Sequence, residues 1–212
     1  MPKSSRTSHL AHDRRLIVAA LTGLLATGFA ACAARNGGPQ PANVAAPTSA
    51  ADDRQAVLLF RRKVEDYAAL HRRLARSMPT VSAQASPADV HAQELAFEKL
   101  IASERRSSNA GDLFIVEIQP LIRRVAGELL SGQAGAPLLD TIKEESTEGR
   151  ASARVNARYP DSVPLSSVPA QLLAALPALP EELEYRFVGR DLILLDTKAR
   201  LVADVMPLVL PR

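Results

Sequence analysis

Hydrophobic positions follow a helical period through the middle of this chain and a strand period at its end. Residues 1–15 are polar and basic. Leu16 to Ala34 then runs LIVAALTGLLATGFAACAA without a charge. Residues 33–51, rich in Ala, Pro and Gly, show no apolar period and read as a flexible tether. A helix is expected from Asp52 or Asp53 to a stop before Pro79. Along it Val57, Phe60, Val64, Tyr67, His71 and Leu74 recur at spacings of 3-4-3-4-3. Such a stripe packs on one partner helix. The partner begins at Ser86, with Pro87 at its first helical position and Asp89 at its third. Leu95, Phe97, Leu100 and Ile101 make its buried side, with Val90 or Ala92 as earlier candidates, and it ends by Arg105-Arg106. The two helices form an antiparallel hairpin.

The next stretch admits two readings. Leu113-Phe114-Ile115-Val116 has the β-branched character of a buried strand. Phe114, Ile118, Leu121 or Ile122, Val125 and Leu129 have helical spacing, with Asp112 as a plausible N-cap. Length favours a helix kinked at Pro120. A short helix opened by Pro137 is expected to about Ser146. Five prolines between Tyr159 and Pro180 then break the chain into extended pieces around one helical turn, Ala170 to Leu176. Glu184–Val188, Asp191–Leu195 and Leu201–Met206 read as three strands, joined at Gly189 and at Asp196–Arg200. The fold class is therefore α+β: an N-terminal helical hairpin or bundle, a Pro-rich segment and a C-terminal antiparallel β-meander. The organisation read from the chain is a leader over 1–31, a tether over 32–51 and one domain over 52–212. In that domain helices occupy about 52–146 and the meander about 184–206.

Charge changes the picture once it is located. The chain has 26 basic and 23 acidic residues among 212, net +3. Four of the basic residues and only one acidic residue lie in 1–31, so the chain from Cys32 onward is neutral. A neutral domain lacks the basic surface that releases counterions from phosphate, and no nucleic-acid partner is expected. Without Trp, and with three Tyr and five Phe, it also has few stacking platforms for single strands. One cysteine permits no intrachain disulfide, so a packed core must carry stability.

A basic start, an apolar run and small residues at its end make a secretory signal. The run is 16 residues to Ala31 and 19 to Ala34, against about 20 for a bilayer span, which leaves an uncleaved anchor open. Phe29-Ala30-Ala31-Cys32 resembles the bacterial lipoprotein box, in which small residues precede a cysteine that is lipidated and becomes the mature N-terminus. The resemblance implies lipidation at Cys32, with the tether holding the domain off the membrane. Cleavage near Ala31 or Ala33 without lipid is the alternative. Asp13-Arg14-Arg15-Leu16-Ile17-Val18 also resembles a twin-arginine export motif. Further on, Val155-Asn156-Ala157-Arg158-Tyr159-Pro160, Leu179-Pro180 and Leu183–Leu194 resemble an uncharacterised family of exported bacterial proteins. That likeness implies export and a shared fold, and assigns no activity or catalytic residue.

Candidate chemistry in the domain is sparse. His71 sits on the apolar stripe of the first helix, where a hydrogen-bonded core histidine is the ordinary outcome and a catalytic or ligand role the rarer one. His91, Glu94 and Glu98 share one helix face at i, i+3 and i+7, a spacing able to hold a metal but more often a solvated polar face. No Gly-x-Ser-x-Gly elbow, His-Glu-x-x-His pair or phosphate loop occurs. Asp191, Asp196 and Asp204 fall at strand or turn ends, where carboxylates usually satisfy turns. No cofactor or resident metal is expected. The functional expectation is an exported envelope protein, periplasmic or lipid-anchored, that makes non-catalytic contacts with an envelope protein partner. An exported enzyme or small-molecule binder is the first alternative and a metal-binding bundle on His91, Glu94 and Glu98 the second.

Overall fold

Five helices precede a three-stranded antiparallel sheet in a computed structural model, which describes residues 49–145, 153–160, 163 and 166–211. The leader, Cys32 and the tether to Thr48 lie outside the described residues. The α+β arrangement expected from the sequence, helices first and a meander last, is the one observed.

Helix α1 spans Ala50–Ser77. It starts two or three residues before the expected Asp52 or Asp53 because Ser49 caps it. The Ser49 side chain accepts from the Asp52 backbone N–H while the Asp52 carboxylate accepts from the Ser49 N–H. This reciprocal box satisfies two otherwise orphaned donors. Ala50 and Ala51, expected in the tether, therefore belong to α1. Helix α2, Pro87–Glu104, opens on the same device, with Ser86 and Asp89. Arg105 over the Tyr67 ring, Phe97 packed perpendicular to His71, and Gln93 donating to the Pro79 carbonyl set the two helices antiparallel. The buried face of α2 is Phe97 and Ile101, whereas Val90 is 42% exposed.

The Asp112–Leu130 stretch is neither one strand nor one kinked helix. Residues 112–118 form turns, and α3 spans Gln119–Leu130 with Pro120 in its first turn, where the missing N–H has no intrahelical acceptor to lose. The amides of Leu113 and Phe114 cannot enter a helix ladder because the Asp204 carboxylate takes both. Helix α4, Gly132–Glu145, begins five residues before Pro137 rather than at it. Gly135 makes this junction with α3 feasible: a Cβ there would lie 2.4 Å from the Leu130 carbonyl carbon. Helix α5 is Ala170–Ala175.

Strands β1 (Leu183–Val188), β2 (Asp191–Asp196) and β3 (Leu201–Met206) pair in the order β1-β2-β3, with a bulge in the β2–β3 register at Leu194/Leu195. Both faces of the sheet are covered. Tyr185, Phe187, Leu192, Leu194 and Met206 join the helical core, in which Phe60 stacks on Phe114 and Phe114 on Tyr185. Ile193, Leu195, Val202 and Val205 meet Tyr159 and Val163 on the other side. Residues 156–159 also close the outer edge of β3, with Asn156 N–H to Val202 O at 2.9 Å, Val202 N–H to Ala157 O at 2.9 Å and Tyr159 N–H to Arg200 O at 2.6 Å. A covered edge offers no template for another strand, and covered faces explain why β3 is buried at all six positions rather than alternating.

Candidate functional site

The polar residues of the core converge between α1, α2 and the sheet. Tyr67 and His71 are one turn apart on the buried stripe of α1, and both reach Asp196 at the end of β2. The Tyr67 hydroxyl donates to Asp196 Oδ2 at 2.7 Å, and His71 Nδ1 lies 2.6 Å from the same oxygen. A carboxylate only accepts, which assigns the shared proton to Nδ1. Asp196 Oδ1 accepts from the Ala199 N–H at 2.8 Å, so one carboxylate ties the β2–β3 turn to α1. Asp196 is fully buried and His71 is 4% exposed, its ring edge-on to Phe97 at 4.9 Å. Burial, then the negative charge and hydrogen bond of Asp196, hold the Tyr67 phenol well above its ordinary pKa.

Arg105, the residue that ends α2, is the cation of this cluster. Its guanidinium lies 4.9 Å from the Tyr67 ring centroid, donates to Ala203 O at 2.8 Å and to Asn156 Oδ1 at 3.0 Å, and receives the Asn156 amide on its own carbonyl. Burial draws its pKa down, opposed by Tyr67, Asp204, Asp112 and Asp196. Asp204 accepts four backbone N–H groups, from Gly111 (2.9 Å), Leu113 (2.8 Å), Phe114 (2.7 Å) and Val205 (2.8 Å). Its pKa is nevertheless raised, because burial outweighs those four donors. Glu182, just before β1, is 7% exposed. Its Oε1 accepts from Arg72 at 2.9 Å and its Oε2 is buried without a hydrogen-bond partner.

The sequence-derived candidates separate. His71 enters this cluster through Asp196, a residue read from sequence as a turn carboxylate. His91 is exposed on α2, 3.8 Å from Glu94, while Arg158 approaches Glu94 at 4.0 Å and Glu98 at 3.9 Å. The two glutamates thus face a cation supplied by the 153–160 segment. Among the described residues no three His, Cys, Asp or Glu side chains gather as a metal-holding group. Cys32 lies outside the described residues. Ser166 is buried and exchanges hydrogen bonds with the Phe187 backbone, and Ser167 binds Glu145. Ser166 has no base beside it in these contacts, and the Ser167–Glu145 pair is exposed.

A groove of about 500 Å³ opens between the end of α1, the 78–81 loop, α2 and the β2–β3 turn. Phe97 and Thr197 line it, and His71 and Asp196 do not. The histidine–carboxylate pair therefore lies behind the groove wall. No protein-family model, curated protein or solved structure matches this chain.

Proposed function

We propose that this chain is an exported bacterial envelope protein whose α+β domain is a non-catalytic interaction module. It is carried at the membrane by a lipidated Cys32 or an uncleaved anchor, or released into the periplasm. The observation that carries the non-catalytic part is how completely the two buried aspartates, Asp196 and Asp204, are consumed. Asp196 gives its two oxygens to three protein donors and Asp204 gives its two to four backbone amides; the bonds to Tyr67, His71, Gly111, Leu113 and Phe114 join separate parts of the fold. Groups held this way act as struts, whereas a general base must keep a lone pair facing substrate. The leader and its lipoprotein-like cysteine support the location, and among the described residues no helix is long and apolar enough to cross a membrane.

Fractionation of a bacterial host expressing the full chain and its Cys32→Ser variant tests the location. The wild type is expected in the membrane fraction with an acylated N-terminal cysteine by intact mass, and the variant is expected to move to the soluble periplasm. Unchanged membrane association of the variant rejects lipidation in favour of an uncleaved anchor. Retention of both in the cytoplasm rejects export.

A further inference from the structure

The groove at the α1–α2 hairpin has no part in the polar cluster, and its construction is specific. Its walls carry Ala75, Met78, Val81, Val90 and Phe97. Two of these, Val81 at 37% and Val90 at 42%, are exposed hydrophobic side chains on one continuous surface. The 78–81 wall is fastened to α2 by Gln93 donating to the Pro79 carbonyl. The opposite wall is fastened by Asp196, which fixes the Thr197-Lys198 turn through the Ala199 amide. A second hollow of about 590 Å³ adjoins it, sharing the 78–81 segment and Gln93 and reaching Ser82 and Asp89. Both volumes fall in the range of small-molecule sites, roughly 300–1,000 Å³.

Charge gives the trough a direction. Lys198 stands at one end, exposed, its ammonium 6.0 Å from the Phe97 ring centroid, and among the described residues it has no ion-pair partner. Glu94 on the same rim is already faced by His91 and Arg158. At the far end Asp89 caps α2 and repels an anion. An uncompensated cation, an apolar floor and a carboxylate at the opposite end match a molecule with an anionic head and a single apolar tail. No strand of the sheet borders the trough, so an extended peptide would find no backbone ladder to join.

We infer that this trough binds a free single-chain anionic amphiphile of the fatty-carboxylate class, its head at Lys198 and its tail along Phe97, Val81 and Val90. This goes beyond the envelope-module reading and does not depend on where the protein resides. The test uses the full chain with Cys32→Ser, so that no acyl group of its own competes. Sodium dodecanoate and dodecanol are titrated below their aggregation limits, with backbone amide shifts by NMR and affinity by calorimetry. Shifts are expected at Val81, Gln93, Phe97, Thr197 and Lys198. Dodecanoate should bind about fivefold more tightly than dodecanol, the weight of one exposed charge pair near 4 Å in water, and Lys198→Gln should erase that difference. Val81→Asp and Val90→Asp, both at exposed positions, should abolish binding of either probe while leaving the melting temperature unchanged. Scattered or absent shifts, equal affinity for acid and alcohol, or binding only to anionic lipid vesicles would each overturn the inference.

Discussion

Replacing Asp196 measures whether the buried cluster is a strut. Its carboxylate is fully buried and accepts from the Tyr67 hydroxyl, His71 Nδ1 and the Ala199 N–H at 2.7, 2.6 and 2.8 Å. Asp196→Ala strands three polar groups in the core. A stranded buried donor costs about 1–3 kcal/mol, and part of this is recovered when His71 moves its proton to Nε2. A net loss of about 3–5 kcal/mol is expected, against a total stability of roughly 5–15 kcal/mol for a domain. Asp196→Asn is a sharper probe because it keeps the shape. Its amide oxygen can still accept from Ala199, and its NH₂ can donate to the other histidine tautomer. Only the Tyr67 hydroxyl loses its acceptor, so a cost of about 1–2 kcal/mol is expected. Urea unfolding followed by far-UV circular dichroism reads both variants. If Asp196→Ala stays within about 0.5 kcal/mol of wild type, the strut reasoning fails. An asparagine as damaging as alanine would show that the negative charge beside Arg105, rather than the hydrogen-bond pattern, holds the site.

Two further predictions rest on other parts of the fold. All three tyrosines of the chain, Tyr67, Tyr159 and Tyr185, have pKa values raised above 10.0, each mainly by burial. A raised folded-state value means that their contribution is intact below the unfolded-state value near pH 10 and is lost as pH climbs toward the folded one. Each phenol then removes up to about 1.4 kcal/mol per pH unit. With no Trp to obscure it, tyrosinate absorbance should rise together with loss of ellipticity above pH 10; a smooth rise at pH 10 with the fold intact would contradict the burial of these rings. The helical glycines should respond in opposite directions. Gly135→Ala drives a methyl to 2.4 Å from the Leu130 carbonyl carbon and is expected to cost about 1–3 kcal/mol, whereas Gly127, with nothing within 4 Å, should gain up to about 1 kcal/mol from alanine. Thermal denaturation of the two variants distinguishes them by sign.

Local signals in the sequence carried well where local forces decide. The meander strands followed from β-rich runs separated by Gly189 and the 196–200 turn, and they lie within a residue of the expected bounds. The α1 stripe was legible because Phe60, Val64, Tyr67, His71 and Leu74 keep the helical period and are all buried. The Ser49-x-x-Asp52 box is equally present in the sequence, and the aspartates alone set the start two or three residues late. By a sound local rule Pro137 opens a helix, yet it lies inside α4. What defeats that rule is the close approach of α4 to the end of α3, which depends on Gly135 lacking a side chain.

Distant side chains decided the rest. The apolar period from Phe114 to Leu129 suggests one helix, yet Asp204, about 90 residues away, takes the Leu113 and Phe114 amides and Gly111 turns at φ +93°. No window that slides along the chain can see such a competitor. The same holds for the cluster around His71. Asp196 does satisfy its turn, through Oδ1 and Ala199, as its position implied. Its second oxygen reaches back 125 and 129 residues to His71 and Tyr67, and those bonds tie a turn carboxylate into the core. A histidine on the apolar stripe of a helix was the one available signal, because an imidazole buried there needs a partner. A carboxylate following a hydrophobic strand is a natural partner once the strand packs on that helix. His–Asp geometry at 2.6 Å is also what a catalytic dyad looks like. The difference here is that Phe97 and Thr197 line the groove while His71 and Asp196 do not, and Lys198 lines it with its ammonium over the Phe97 ring. Under the proposed reading a ligand in the groove meets apolar contact and one charge, and the acid–base pair holds the wall behind it.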